Sequence, residues 1–193
     1  LALWSASFVL MLRLALLERA AGGLDRLYWW HHVCGALAYA VLLVHPLAAA
    51  LAAPGWAGAA ALLTPTTDPG PMSAGWLALL LLMAMMVATF WLPLAYARWR
   101  VVHAASAPAF ALGAWHAWSL GGPGTRAAVA VLSAISLAAL AWRVALGRAW
   151  VRAHPFRVAR VAHPGPGLLE LALEPVGAAL DWRPGQFAFV AFL

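Results

Sequence analysis

His31 and His45 lie 14 positions apart in one apolar stretch, and His103 and His116 lie 13 apart in another. At a rise of about 1.5 Å per residue, either spacing separates two imidazoles by roughly 20 Å along a helix. An ionisable side chain inside a bilayer is costly enough to mark function by default. Two such pairs, matched in depth on two helices, point to two metal centres stacked across a membrane. The chemistry they fit is a pair of b-type haems, each iron held between two imidazoles.

Helical geometry discriminates among the candidates. His31 lies about 40° from His45 on a helical wheel, whereas the adjacent His32 lies about 140° away. His31 is therefore the expected ligand, and His32 is expected to face the interface. The 13-residue spacing of His103 and His116 also leaves about 140° between them on a regular helix. Pro108 stands between them and can kink the helix or free a carbonyl, so a local distortion is expected there. The bland alternative makes all four histidines polar packing residues bonded across a bundle. One histidine would fit it; two depth-matched pairs argue against it.

The elements that must position these side chains are membrane helices. The 193-residue chain is 65% hydrophobic and only 9% charged, outside the range of ordinary globular domains. Net charge is +6 and all twelve basic residues are Arg, but they form no patch that reads as a nucleic-acid surface. Cys34 stands alone, which excludes an internal disulfide and any cysteine-based zinc or iron–sulfur site. No nucleophile–base constellation is evident.

Five apolar segments are read along the chain: 1–17, 27–53, 75–96, 101–120 and 126–146. Each is long enough, or nearly so, for a hydrocarbon core of about 30 Å. The first has neither the charged start nor the cleavage site of a signal peptide, and reads as a helix whose beginning lies outside the chain. Pro54-Gly55 closes the second segment, and the stretch through Asp68-Pro69-Gly70-Pro71 reads as an extramembrane loop. Arg19, Arg26, Arg98, Arg100, Arg148 and Arg152 fall at alternate junctions, while the other side carries Arg126. The positive-inside rule makes those junctions cytoplasmic. The second and fourth segments then run parallel, with His31 level with His103 and His45 level with His116.

Beyond residue 150 the pattern changes. Residues 156–161 alternate like a half-buried strand, His163-Pro164-Gly165-Pro166-Gly167 reads as a turn, 168–173 as a second strand and 187–193 as a third. The fold class expected is an all-α membrane bundle of five helices followed by the first strands of an antiparallel β-barrel. The division is a haem domain at 1–150 and the opening of a cytoplasmic domain at 151–193.

The run Leu24-Asp25-Arg26-Leu27-Tyr28, with His31, Gly35 and His45-Pro46, resembles the third helix of the ferric reductase and NADPH oxidase superfamily. His103 and His116 resemble that superfamily's fifth helix, and Arg183-Pro184-Gly185-Gln186-Phe187 resembles the strand opening its ferredoxin-reductase-type FAD barrel. The resemblance implies that the five segments are family helices two to six. It also implies that Arg183, Gly185, Gln186 and Phe187 begin an FAD site lying mostly beyond residue 193. His154-Pro155-Phe156 imitates a flavin motif but precedes the first strand, and is set aside. The implied activity is that of a cell (inner) membrane oxidoreductase. NAD(P)H reduces FAD in the cytoplasm, and electrons pass through two haems to an extracytoplasmic acceptor.

Two more residues are expected near the haems. Arg13 either snorkels to the headgroups or faces a propionate of the inner haem, and Phe110 lies midway between His103 and His116. A ferric chelate and oxygen both remain open as acceptor; Ala49, one turn beyond His45, supplies no polar group for oxygen chemistry. The alternatives are a haem subunit serving a periplasmic partner and a proton-relay bundle holding no haem. The membrane lipid is the other expected partner.

Overall fold

The computed structural model describes residues 1–65, 69–146, 154–179, 190 and 192. It comprises two compact units, Leu1–Val144 and Ala145–Leu193. Among the described residues the first unit contains α1 (Ala2–Leu10), α2 (Ala15–Ala21), α3 (Leu24–Ala52), α4 (Gly55–Leu63), α5 (Pro71–Phe90), α6 (Tyr96–His103), α7 (Ser106–Leu120) and α8 (Pro123–Ala141). A π-helical turn, Trp142–Leu146, continues α8.

Among the described residues, three helices are long and apolar enough to cross a membrane, by length and composition alone: Leu24–Ala52, Pro71–Phe90 and Pro123–Ala145. The other two expected segments are interrupted rather than continuous, each for a local reason. In the first, the N–H groups of Met11 and Leu12 bond back to the carbonyls of Phe8 and Val9, tightening the last turn of α1. Arg13 then adopts φ 53°, a left-handed conformation that ends the helix. In the fourth segment, Pro108 has no N–H and its ring collides with the carbonyl of the residue four back, Ala104. The chain breaks there, leaving Ala104 and Ala105 between α6 and α7. The stretch expected as a plain loop after Pro54 also holds a helix, α4. Its Trp-Ala-Gly-Ala-Ala-Ala-Leu-Leu run is rich in helix formers.

The bundle closes on small residues. α5 turns Ala74, Ala78, Leu82, Met85 and Ala88 inward, and α7 answers with Ala109, Phe110 and Ala114. Small side chains let the two backbones approach, which matters in lipid because burial there gains nothing from leaving water. Trp4 of α1 and Phe8 meet Phe110 edge-on, at 5.6 Å and 5.5 Å between ring centres. Ala38 of α3 and Val129 of α8 complete the same cluster. Large apolar side chains point outward all along the helices, among them Val41, Leu51, Val131 and Leu137, as a lipid-facing surface requires.

One polar link joins α1 to α8: the fully buried Ser136 hydroxyl donates to Ser5 Oγ at 3.0 Å, and Ser5 donates to the Leu132 carbonyl at 3.4 Å. Interhelical bonds of this kind contribute about 0.6 kcal/mol each. Ser136→Ala is therefore expected to lower stability by about that amount, read as a small shift in detergent unfolding, with both histidine pairs unaffected.

The second unit shows an antiparallel hairpin of β1 (Phe156–Gly165) and β2 (Leu168–Pro175). β1 runs through the expected turn cluster, and the chain reverses only at Pro166-Gly167, where Gly167 has φ 72°. Proline followed by a left-handed glycine is the residue pair of a type II turn. Pairing shifts between Val158 and Arg160 and again between Ala162 and Gly165, the second around Pro164, which has no N–H to give a ladder. Exposed pairs Arg157–Glu174 and Arg160–Glu170 flank the hairpin at 3.2 Å and 2.8 Å. Arg183, Gly185, Gln186 and Phe187 lie outside the described residues, as does the third expected strand except for Val190 and Phe192, which are in no regular element.

Candidate metal centres

α3 runs unbroken from Leu24 to Ala52, so His31, Gly35, Ala38, Leu42 and His45 fall in one stripe along it. The second pair is divided between helices: His103 is the last residue of α6, and His116 lies in the final turns of α7. The break at Ala104–Ala105 removes the angular mismatch that a continuous helix would impose. The ring centres of His31 and His103 stand 6.1 Å apart, with their planes at 63°. Those of His45 and His116 also stand 6.1 Å apart, at 86°. Because each end of α3 meets the matching end of α6–α7, the two strands of the bundle run parallel.

That separation has a chemical meaning. A metal–imidazole nitrogen bond is about 2 Å long and the nitrogen lies about 1 Å from its ring centre, so two imidazoles opposed across one metal ion have centres about 6 Å apart. Each histidine pair meets this condition. Among the described residues no group of three or more His, Cys, Asp or Glu side chains comes together. Each pair could thus offer two imidazoles to a metal whose remaining ligands come from outside the chain.

Backbone carbonyls hold one ring of each pair. His31 Nδ1 lies 3.0 Å from the Ser7 carbonyl. That oxygen is among the last four of α1, which have no partner within their own helix. His116 Nδ1 lies 2.8 Å from the Pro71 carbonyl at the start of α5. A carbonyl only accepts, so in both rings Nδ1–H donates and the Nε2 lone pair is left to bind a metal. α5 starts where it does because Pro71 takes the first helical position, and Ser73 Oγ accepts from the Gly70 N–H at 3.1 Å. Gly75, one turn on, gives His116 its room: a Cβ there would lie 2.6 Å from Nδ1 and 2.8 Å from Cε1. Beside His45 a cleft of about 450 Å³ runs along Ala40, Val41, Val44 and Ala48. Gly35, between the two α3 histidines, has open space where a Cβ would stand.

A family profile described as "Ferric reductase like transmembrane component" matches residues 1–114, more than half of the chain. The chain belongs to that family. No curated protein matches it. The matched span takes in His31, His45 and His103, and His116 follows two residues later. Membership places the protein among transmembrane oxidoreductases and gives it, in general terms, the task of carrying electrons across a bilayer.

Within this ferric reductase-like domain the remaining residues take definite places. His32 is exposed and its ring lies 5.5 Å from that of its neighbour His31; it is His31 whose ring meets His103. Arg13 holds its guanidinium carbon 5.6 Å from the ring centre of Tyr28, one turn before His31. Its left-handed backbone is the kind of strained conformation that gathers at functional sites. Phe110 packs into the aromatic cluster with Trp4 and Phe8, at a level between the two histidine pairs. Sequence reasoning missed the carbonyls of Ser7 and Pro71, which carry no residue-type signal. It also missed Gly75, and Trp99, whose ring stacks on His103 at 4.9 Å and whose position four residues earlier was the available clue.

Proposed function

We propose that the protein carries electrons across a membrane through two b-type haems. One would be held by His31 and His103 near the cytoplasmic face, the other by His45 and His116 near the outer face. What carries this reading is the equal 6.1 Å separation of both pairs, together with the carbonyl-anchored Nδ1 atoms of His31 and His116. When bound, haem supplies reversible one-electron chemistry at iron.

The chain's own residues set the conditions for it. With two imidazoles to hold it at each level, the bound group would supply outer-sphere electron transfer rather than a binding site for small molecules. The Ser7 and Pro71 carbonyls make one imidazole of each pair a better donor by hydrogen bonding to its Nδ1–H. Apolar side chains of α3, α5 and α7 between the two levels, among them Ala38, Leu82 and Phe110, would give a group held there a low-dielectric surrounding. Arg13, beside Tyr28, which lies one turn before His31, would face a carboxylate at the inner centre. The segment after residue 150 opens an FAD barrel fed by NAD(P)H, on the resemblance of Arg183-Pro184-Gly185-Gln186-Phe187 to that family's strand.

The acceptor assigned is a ferric chelate or a similar extracytoplasmic oxidant. Ala49, one turn beyond His45, brings no polar group for oxygen chemistry, which weighs against the oxidase alternative. Protein reconstituted in vesicles with a ferric chelate trapped inside tests the assignment. A membrane-impermeant reductant outside is expected to reduce the chelate, with little superoxide formed in aerated buffer. No reduction of the trapped chelate, or superoxide at the rate of reductant consumption, would overturn it.

A further inference from the structure

The four histidines are not held alike. His31 and His116 are fixed through Nδ1 by backbone carbonyls. His103 Nδ1 is buried and has no hydrogen-bond partner among the described residues. What meets the His103 ring instead is an indole: Trp99 stacks on it with ring centres 4.9 Å apart and planes 22° from parallel. Tyr96 in turn stacks on Trp99 at 5.7 Å and 23°. The three residues follow one another at spacings of three and four along α6, so a single helix face carries the column. α6 ends at His103, immediately before the break that Pro108 imposes. The imidazole therefore sits at a helix end, where backbone position alone constrains it least.

Resting on the haem reading above, we propose that Trp99 is the positioning residue for His103. In this arrangement the indole face sets the plane of the His103 ring, the task that backbone carbonyls perform for His31 and His116. A stacked ring fixes orientation without adding basicity, because it accepts no proton-sharing bond from Nδ1. The inner centre is thus unequal across its metal: His31 is the stronger, hydrogen-bonded donor, and His103 the weaker donor, kept in place by π-stacking. Tyr96 backs the indole on its other side in the same stacked column.

The test is Trp99→Ala beside Trp99→Phe in the full-length protein, with His103→Ala used to assign the inner haem's signals. Low-spin EPR depends on the angle between the two imidazole planes, and that angle is what Trp99 controls. In Trp99→Ala the inner haem's EPR signal is expected to move and its haem retention to weaken about tenfold, as loss of an outer-shell partner does. The outer haem's signal should stay unchanged and so reports that the bundle is folded. Trp99→Phe, which keeps a ring face, is expected to restore the inner signal. An inner signal and affinity unchanged in Trp99→Ala would overturn the positioning role alone, as would equal disturbance of both haems with no rescue by Phe. Unaltered protein that binds no haem would overturn this proposal together with the reading beneath it.

Discussion

His103→Ala is expected to remove one haem of two, the inner one, and His116→Ala the other, each leaving its partner centre spectrally intact. The prediction follows from the pairing, since the His103 ring meets that of His31 and the His116 ring meets that of His45, toward the far end of α3. With one imidazole of a pair removed, a haem there would be held by a single side chain, and a truncation to Ala offers no replacement. His31→Ala should phenocopy His103→Ala, and His45→Ala should phenocopy His116→Ala. His32→Ala should keep both haems, because that ring is exposed and stands beside His31 rather than between the helices. Redox titration of the purified variants checks the pattern: two components in the unaltered protein, one in each ligand variant. Loss of the inner haem alone from His32→Ala, with the inner haem kept in His31→Ala, would show that His32 and not His31 is the inner ligand.

Gly75→Ala comes second in expected size, although it touches no proposed ligand atom. The added Cβ would lie 2.6 Å from His116 Nδ1 and 3.0 Å from Cγ, closer than such atoms approach. The ring is stiff and sits in a packed helix pair, so it must swing away and release the Pro71 carbonyl. Overpacking of this kind costs about 1–3 kcal/mol, and loss of an outer-shell bond weakens metal-site affinity about 10–100-fold. The outer haem should therefore be depleted while the inner one remains. Gly113→Ala is the matched control: its Cβ would meet only Ala78, at 3.9 Å. Haem content and the outer component of the titration distinguish the two variants.

The histidine quartet and the parallel course of its two helices were legible because a 14-residue interval and an alternating arginine pattern both survive in the sequence as residue types. The break before Pro108 was legible for the same reason: a proline where a helix needs an N–H is a local, nameable conflict. The interruption at Arg13 was not, because arginine has no preference for positive φ and only its packing imposes that conformation. Nor was α4, hidden between Pro54 and Pro65 in a stretch that reads as loop punctuation until its alanine run is weighed. The anchors of His31 and His116 are backbone carbonyls, which every residue has. Gly75 is one glycine among sixteen, and only the approach of α7 makes it matter. In the second unit the two strands were read from alternation. The turn was placed too broadly because Pro164 suggests an end to β1, where the structure accommodates it in an irregular stretch of the ladder.

Haem content and ligation of the purified, unaltered protein bear most directly on the claim that paired imidazoles hold two irons at different depths. About two b-type haems per chain are expected, both low-spin in the oxidised and reduced states and both indifferent to carbon monoxide. Protein lacking a Soret band, or holding one high-spin haem that binds carbon monoxide, would contradict it.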